Sequence, residues 1–402
     1  MTLPTRWLAG LAAAMLSIFF AAGCREPDHA VVTPADFTAR TNGSPRELWE
    51  HLGRLEQKFA AGQATDPESS RALLSAYTSA LIGTTDAIIA DPAADETLRE
   101  RAVTFQFLAY DRRKAIDPNA ENDLLAATDR IEAKAQSPRL RSYACEKRTA
   151  ILGERAAMAS DEDRPQKYRA LIDAVIHTIG LDPPPPRSAE VLGKLAGDCE
   201  EKQLYPLAKE VEEVLVAKFP DTLDGKFAKG ALHRHSLKGK VIDDLEGLGK
   251  DGKPLSIKDF RGKVVIVAFW ISKLPVAVFE IEEVDAFRTK YDPKDLQVLG
   301  VATEPIPEIA TKFLAAKQID WPQIESKMES QNLESVLNLR YGVRALSYRM
   351  VIDREGRLVD YGYMLFQVRP TIERLLPPPH EPKLPAAKEQ AKSDAAERPK
   401  AN

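Results

Sequence analysis

The sequence predicts two folded parts of different class: an all-helical, repeat-like bundle, then an α/β layered domain. Three observations carry this. Residues 44 to 237 keep a helical 3.6-residue period with no strand signal between them. The period changes at Leu237-Lys238-Gly239-Lys240-Val241-Ile242. From Val264 onward, short fully apolar runs alternate with helical patterns and end in a hairpin, as in a sheet covered by helices.

The helical part opens at Ser44-Pro45-Arg46-Glu47, where Ser44 can cap, Pro45 suits the first helical position and Glu47 completes a capping box. Ser137-Pro138 repeats that start. Leu171, Ile172, Val175, Ile176 and Ile179 make one apolar face, and Leu207, Ala208, Val211, Val214 and Leu215 another. Breaks near Gly62, Pro92, Pro118, Ser137, residues 161–164, residues 183–186 and Pro220 divide the region into eight or nine helices. Lys114 to Asn119 and Ala217 to Asp221 both resemble the end of a tetratricopeptide unit, three periods of about 34 residues apart. The positions between carry no matching signature, so the region reads as repeat-like and as an interaction surface, with no titratable cluster suited to catalysis.

In the second part, Leu245 to Leu255 is a Gly/Asp-rich hairpin. Val264 to Trp270 is a buried strand, Pro275 to Tyr291 a helix, and Leu296 to Ala302 a second buried strand. Helices follow over Ile306 to Lys317 and Ser330 to Leu339. Tyr348 to Ile352 and Arg357 to Tyr363 form strands about the Asp353-Arg354-Glu355-Gly356 turn, and Val368 to Leu376 is the last helix.

The chain has 402 residues, 44% hydrophobic and 29% charged, with a formal net charge of −4. That is ordinary soluble composition with no basic stripe, so nucleic acid is not an expected partner. Residues 1–23 read as an export signal: Arg6, an apolar run from Trp7 to Ala22 too short to span a bilayer, then small residues. Ala21-Ala22-Gly23-Cys24 resembles the lipobox of bacterial lipoproteins, which implies cleavage after Gly23 and a lipid anchor on Cys24. The expected localisation is then extracytoplasmic, on the periplasmic face of a membrane, and Arg25 after the anchor is permissive for the outer membrane. Residues 24–43 are expected as a flexible tether. Residues 377–402, rich in Pro, Ala, Lys and Glu, are expected as a disordered tail.

Residues 239–376 resemble the bacterial TlpA-like branch of the thioredoxin family, which overlaps with redoxin domains. The landmarks are Asp251-Gly252-Lys253, the strand Phe260-Arg261-Gly262-Lys263 through Phe269-Trp270, Glu280, Gly300-Val301-Ala302, Trp321-Pro322, Tyr341-Gly342-Val343 and Val351-Ile352-Asp353-Arg354-Glu355-Gly356. The resemblance implies a thioredoxin-like fold with a Cys-x-x-Cys pair between Trp270 and the helix beginning at Pro275, and a cis-proline opposite it. Here Leu274 and Ala277 stand at the cysteine positions and Ser347 at the proline. Neither Leu nor Ala offers a thiolate, the species that attacks a disulfide. A cis bond ahead of a non-proline residue costs ~2.5–4 kcal/mol.

The expected function is therefore a lipid-anchored, redox-inactive thioredoxin-like binding or scaffolding module, partnered by a protein through its helical domain. No cofactor and no metal is expected. The alternative is a thiol-disulfide oxidoreductase or peroxiredoxin-like enzyme working through Cys145 or Cys199, the cysteines left once Cys24 is acylated. Those two could instead form a structural disulfide or stay as buried thiols. His233 and His235, two apart on a helix, point to different faces and read as cations near a helix end. His177 reads as a core histidine. Asp295, Asp353 and Glu280 would form carboxylate pairs only through the chance of folding.

Overall fold

A computed structural model describes residues 32–62, 66–249, 251–303, 307–325, 335–344 and 347–380. The chain divides into two compact units, Met1–Ile151 and Leu152–Asn402.

In the first unit, helices α1 (Pro45–Ala61), α2 (Pro67–Ala90), α3 (Glu96–Arg113) and α4 (Ala120–Lys134) lead into α5 (Pro138–Ala157), which crosses the division. The capping box forms as expected: Ser44 N–H donates to Glu47 Oε2 at 2.7 Å, and Ser44 Oγ accepts from Glu47 N–H. Asp66 and Asp95 cap α2 and α3 by accepting first-turn amides through their side chains. Leu48, Leu52 and Leu55 of α1 close on Leu73, Tyr77, Leu81 and Ile88 of α2. Val103, Phe107 and Tyr110 of α3 close on α4 and α5 through Leu124, Ile131, Leu140 and Ala144. By length and composition α2 could cross a membrane, yet its Leu73, Tyr77, Leu81 and Ile88 are core residues here.

Part of the expected tether is packed. Residues 34–36 form a 3-10 turn, and Phe37 is buried with its ring 5.6 Å from that of Tyr77. The one large apolar side chain of that polar stretch gains more by joining the core than the stretch loses in freedom.

The second unit holds α6 (Arg164–Ile179), α7 (Ser188–Glu201), α8 (Tyr205–Lys218) and α9 (Leu223–Leu237), followed by the sheet. Its strands are β1 (Glu246–Gly249), β2 (Pro254–Ser256), β3 (Val264–Trp270), β4 (Leu296–Ala302), β5 (Gln323–Glu325), β6 (Ser347–Ile352) and β7 (Leu358–Gly362). Helices α10 (Pro275–Arg288), α11 (Pro307–Lys317), α12 (Val336–Tyr341) and α13 (Leu365–Leu375) lie between and after them. Strand order is β2-β1-β5-β4-β3-β6-β7, with β3, β4 and β5 parallel and β6 antiparallel to β3. The three-residue β5 has no sequence signal of its own.

Strand β3 shows why both faces must be covered. Val264, Ile266, Ala268 and Trp270 join a core with Ile281, Val284 and Phe287 of α10 and Val368 and Ile372 of α13. The alternate residues Val265, Val267 and Phe269 join a second core with Leu337 and Tyr341 of α12.

Helices α6 to α9 belong to the same compact unit as the sheet, although the periodicity changes at residue 237. Helix α9 lies backbone to backbone on α12. A Cβ at Gly230 would fall 1.9 Å from the Leu339 carbonyl oxygen. A Cβ at Gly342, whose φ is +63°, would fall 2.1 Å from the Ala231 amide nitrogen. At the other end, His380 N–H donates to Lys290 O at 2.9 Å. The expected signal segment, Cys24 and residues 381–402 lie outside the described residues.

Candidate functional site at the turn between β3 and α10

The strand-to-helix turn stands where the sequence places it. Thr303 pins the end of β3, donating to Trp270 O from both its amide, at 3.1 Å, and its hydroxyl, at 3.0 Å. The Trp270 indole N–H donates to Gln323 Oε1 at 3.0 Å. The chain turns through Ser272 and Lys273. Leu274 is the N-cap of α10, with extended backbone and no side-chain cap, and Pro275 takes the first helical position. A cap without a side-chain acceptor leaves the first-turn amides unanswered from that residue, and the helix dipole is positive there. A thiolate at this place would be stabilised by the same field.

The two positions that hold cysteine in the resembling family differ in exposure. Leu274 is 43% exposed and Ala277 is 0% exposed, packed on Ile271. The Leu274 side chain is not packed into the interior. It faces solvent with Val276 (47%) and Phe279 (57%), because the cap residue and the outer side of the first turn point away from β3. Ser347 is buried, pairs with Trp270 across β3 and β6, and donates through Oγ to Tyr363 O at 3.3 Å. The structure thus brings Ser347 beside the turn.

One turn beyond Ala277 lies a buried ion pair. Glu280 Oε2 accepts from Arg349 Nη2 at 3.3 Å and from the Leu365 amide at 3.0 Å. Arg349 rises from β6 opposite Ala268 and is fully buried. Burial pushes the Glu280 carboxyl above its ordinary value, in spite of the Leu365 amide and the guanidinium. Burial also pulls the Arg349 guanidinium down to about 10. Asp295 and Asp353 do not join Glu280: Asp295 Oδ1 accepts from Arg354 at 2.8 Å, and Asp353 Oδ1 from the Arg357 amide at 2.7 Å. Sequence reasoning missed Arg349. Its signal was a lone arginine within the apolar run Tyr348-Arg349-Met350-Val351-Ile352.

Neither remaining cysteine is near this chemistry in character. Cys145, on α5, and Cys199, on α7, are each free and buried. Burial pushes each thiol up to about 12. His177, expected in the core, is exposed on α6. His233 and His235 do part company: His233 is half-exposed near Asp244, whereas His235 turns inward. The turn can bind by apolar contact, but none of its described side chains is a redox nucleophile.

Residues 218–375 match the Redoxin family. The matched span takes in α9, ahead of the change of period. Two curated relatives, the thiol-disulfide oxidoreductases ResA of Bacillus thuringiensis and Bacillus cereus, are each 23% identical over 120 residues, 30% of this chain and 63% of theirs. The match therefore spans less than two thirds of the relatives' length. Among solved structures, the thioredoxin domain of a thiol-disulfide oxidoreductase from Bacteroides vulgatus is 22% identical, with a TM-score of 0.29, covering 35% of this chain and 98% of that one. A thiol-disulfide isomerase from Corynebacterium glutamicum is 21% identical, with a TM-score of 0.31, covering 34% and 95%. The chain carries, over residues 218–375, a redoxin-family domain of thioredoxin fold, preceded by a helical region.

Proposed function

We propose that this is a membrane-anchored, extracytoplasmic thioredoxin-like protein without thiol-disulfide activity, acting as a binding or scaffolding module. The observation that carries this reading is the turn itself. A nucleophile that attacks a disulfide must be accessible, and the accessible position holds Leu274. No cysteine follows Cys199 in the chain, so no thiol of the redoxin-family span can replace it. Leu274, Val276 and Phe279 instead present apolar side chains at the turn where the resembling family carries its cysteine pair, and exposed apolar clusters are commonly binding surfaces. The helical region is proposed to take a protein partner, and a lipid on Cys24 to hold the chain to the membrane.

Insulin reduction by the purified mature chain with dithiothreitol tests the reading. The expected rate is that of dithiothreitol alone. The Leu274→Cys/Ala277→Cys variant is expected to raise it, since it sets an exposed sulfur at the helix start and a shielded one a turn later. Turnover by the unmodified chain, abolished by Cys145→Ala or Cys199→Ala, would instead establish an enzyme using those cysteines.

A further inference from the structure

Helices α7, α8 and α9 bring Glu200, Glu212 and His235 together in the interior of the second unit. All three are buried or nearly so, and one donor atom from each lies within 4.8 Å of the others. His235 Nε2 is 3.1 Å from Glu212 Oε2 and 3.4 Å from Glu200 Oε1. Nothing in the redox frame of the fold requires this cluster.

The geometry is that of ligands around a common point. Bonds of about 2.0–2.2 Å to nitrogen and oxygen in a tetrahedral zinc site separate neighbouring donor atoms by roughly 3.3–3.6 Å. The two observed separations are close to that. A direct hydrogen bond is the competing account, and the angles do not support it. Although 3.1 Å apart, His235 Nε2 and Glu212 Oε2 both lack a hydrogen-bond partner. Buried polar atoms without partners are rare and costly. Here two of them, on side chains at least nine-tenths buried, approach each other without aligning.

The surroundings fit as well. His235 Nδ1 lies 2.6 Å from the Tyr361 hydroxyl, so an Nδ1–H donated there leaves Nε2 as the coordinating atom. Glu200 is held by Arg234, which also donates to the Tyr341 carbonyl, and its Oε2 accepts from Tyr363 at 3.4 Å. Arg234 pairs with one of the two carboxylates, and Arg344, the other guanidinium that acts on Glu200, is itself paired with Asp224, so one negative charge stays enclosed, which a cation offsets.

We propose that Glu200, Glu212 and His235 form a binding site for one divalent cation of the zinc type, tying α7, α8 and α9 together beneath the sheet. The mixed imidazole and carboxylate set suits zinc and its neighbours better than calcium or magnesium. Three protein ligands leave the remaining position to water.

The test is calorimetric titration of the chelator-treated, full-length chain with Zn2+, beside a parallel titration with Co2+ read by its visible spectrum. Expected are one equivalent bound per chain, a rise in Tm, and a tetrahedral Co2+ spectrum without a thiolate charge-transfer band. Glu212→Gln and His235→Gln are each expected to weaken binding at least tenfold, with folding of each variant checked by circular dichroism. Cys145→Ala/Cys199→Ala is expected to leave binding unchanged. Absence of saturable uptake by the unmodified chain overturns the proposal, and shows the cluster to be a network closed by a proton. Uptake that both Glu212→Gln and His235→Gln leave unaltered overturns it equally, by placing the metal elsewhere.

Discussion

Glu280 and Arg349 face each other in the interior of the redoxin-family domain, Oε2 to Nη2 at 3.3 Å, one turn from the position where the family's second cysteine would stand. Arg349 Nε has no hydrogen-bond partner, so the guanidinium depends heavily on this one carboxylate. Removing either partner strands a buried charge. Arg349→Met is expected to cost about 3–5 kcal/mol, whereas Glu280→Leu/Arg349→Met, which removes both charges, should recover most of that. Urea midpoints of the single and double variants measure the difference.

The same pair sets a pH dependence. The folded Glu280 carboxyl lies above its ordinary value of 4.5. A group raised in this way contributes stability that is fully present below the ordinary value and is lost as pH rises through the folded one. Between those two values, unmodified protein is expected to lose stability with rising pH relative to Glu280→Gln, with a slope difference of at most about 1.4 kcal/mol per pH unit. Unfolding free energies across mildly acidic pH, compared for the two proteins, provide the check.

Cys145 and Cys199 should be inert in the folded chain. With both thiols pushed up to about 12, the thiolate fraction at pH 8 is on the order of one in ten thousand. Iodoacetamide followed by intact-mass measurement is expected to find both unlabelled natively and both labelled in urea. Rapid native labelling of either would bring back the reading in which that cysteine works as a nucleophile.

Two glycines within helices should respond with opposite signs. A Cβ at Gly53 of α1 meets nothing within 4 Å, so Gly53→Ala is expected to stabilise by about 0.5–1 kcal/mol. A Cβ at Gly230 would sit 1.9 Å from the Leu339 carbonyl oxygen, a backbone atom that cannot swing aside. Gly230→Ala is expected to destabilise by ~1–3 kcal/mol or more as α9 lifts from α12. Thermal melts of the two variants settle the signs.

What could be read from the sequence was what depends on local pattern. The unbroken apolar run of β3, Pro275 at the start of α10, the Ser44 capping box and the hairpin glycine at Gly356 are each encoded within a few residues, and each stands where it was expected. The missing thiols at Leu274 and Ala277 were equally legible, because a residue type is either present or absent. Tertiary structure decided the rest. That Leu274 faces solvent while Ala277 is sealed follows from how α10 lies on β3. The pairing of Glu280 with Arg349 joins residues far apart in the chain, and no local pattern announces it. The convergence of Glu200, Glu212 and His235 depends on three helices crossing at one depth, so spacing along the sequence, which set His233 and His235 on different faces, could not tell which ring would be buried. Local preferences select elements, whereas burial and charge pairing are properties of surfaces that exist only after those elements have packed.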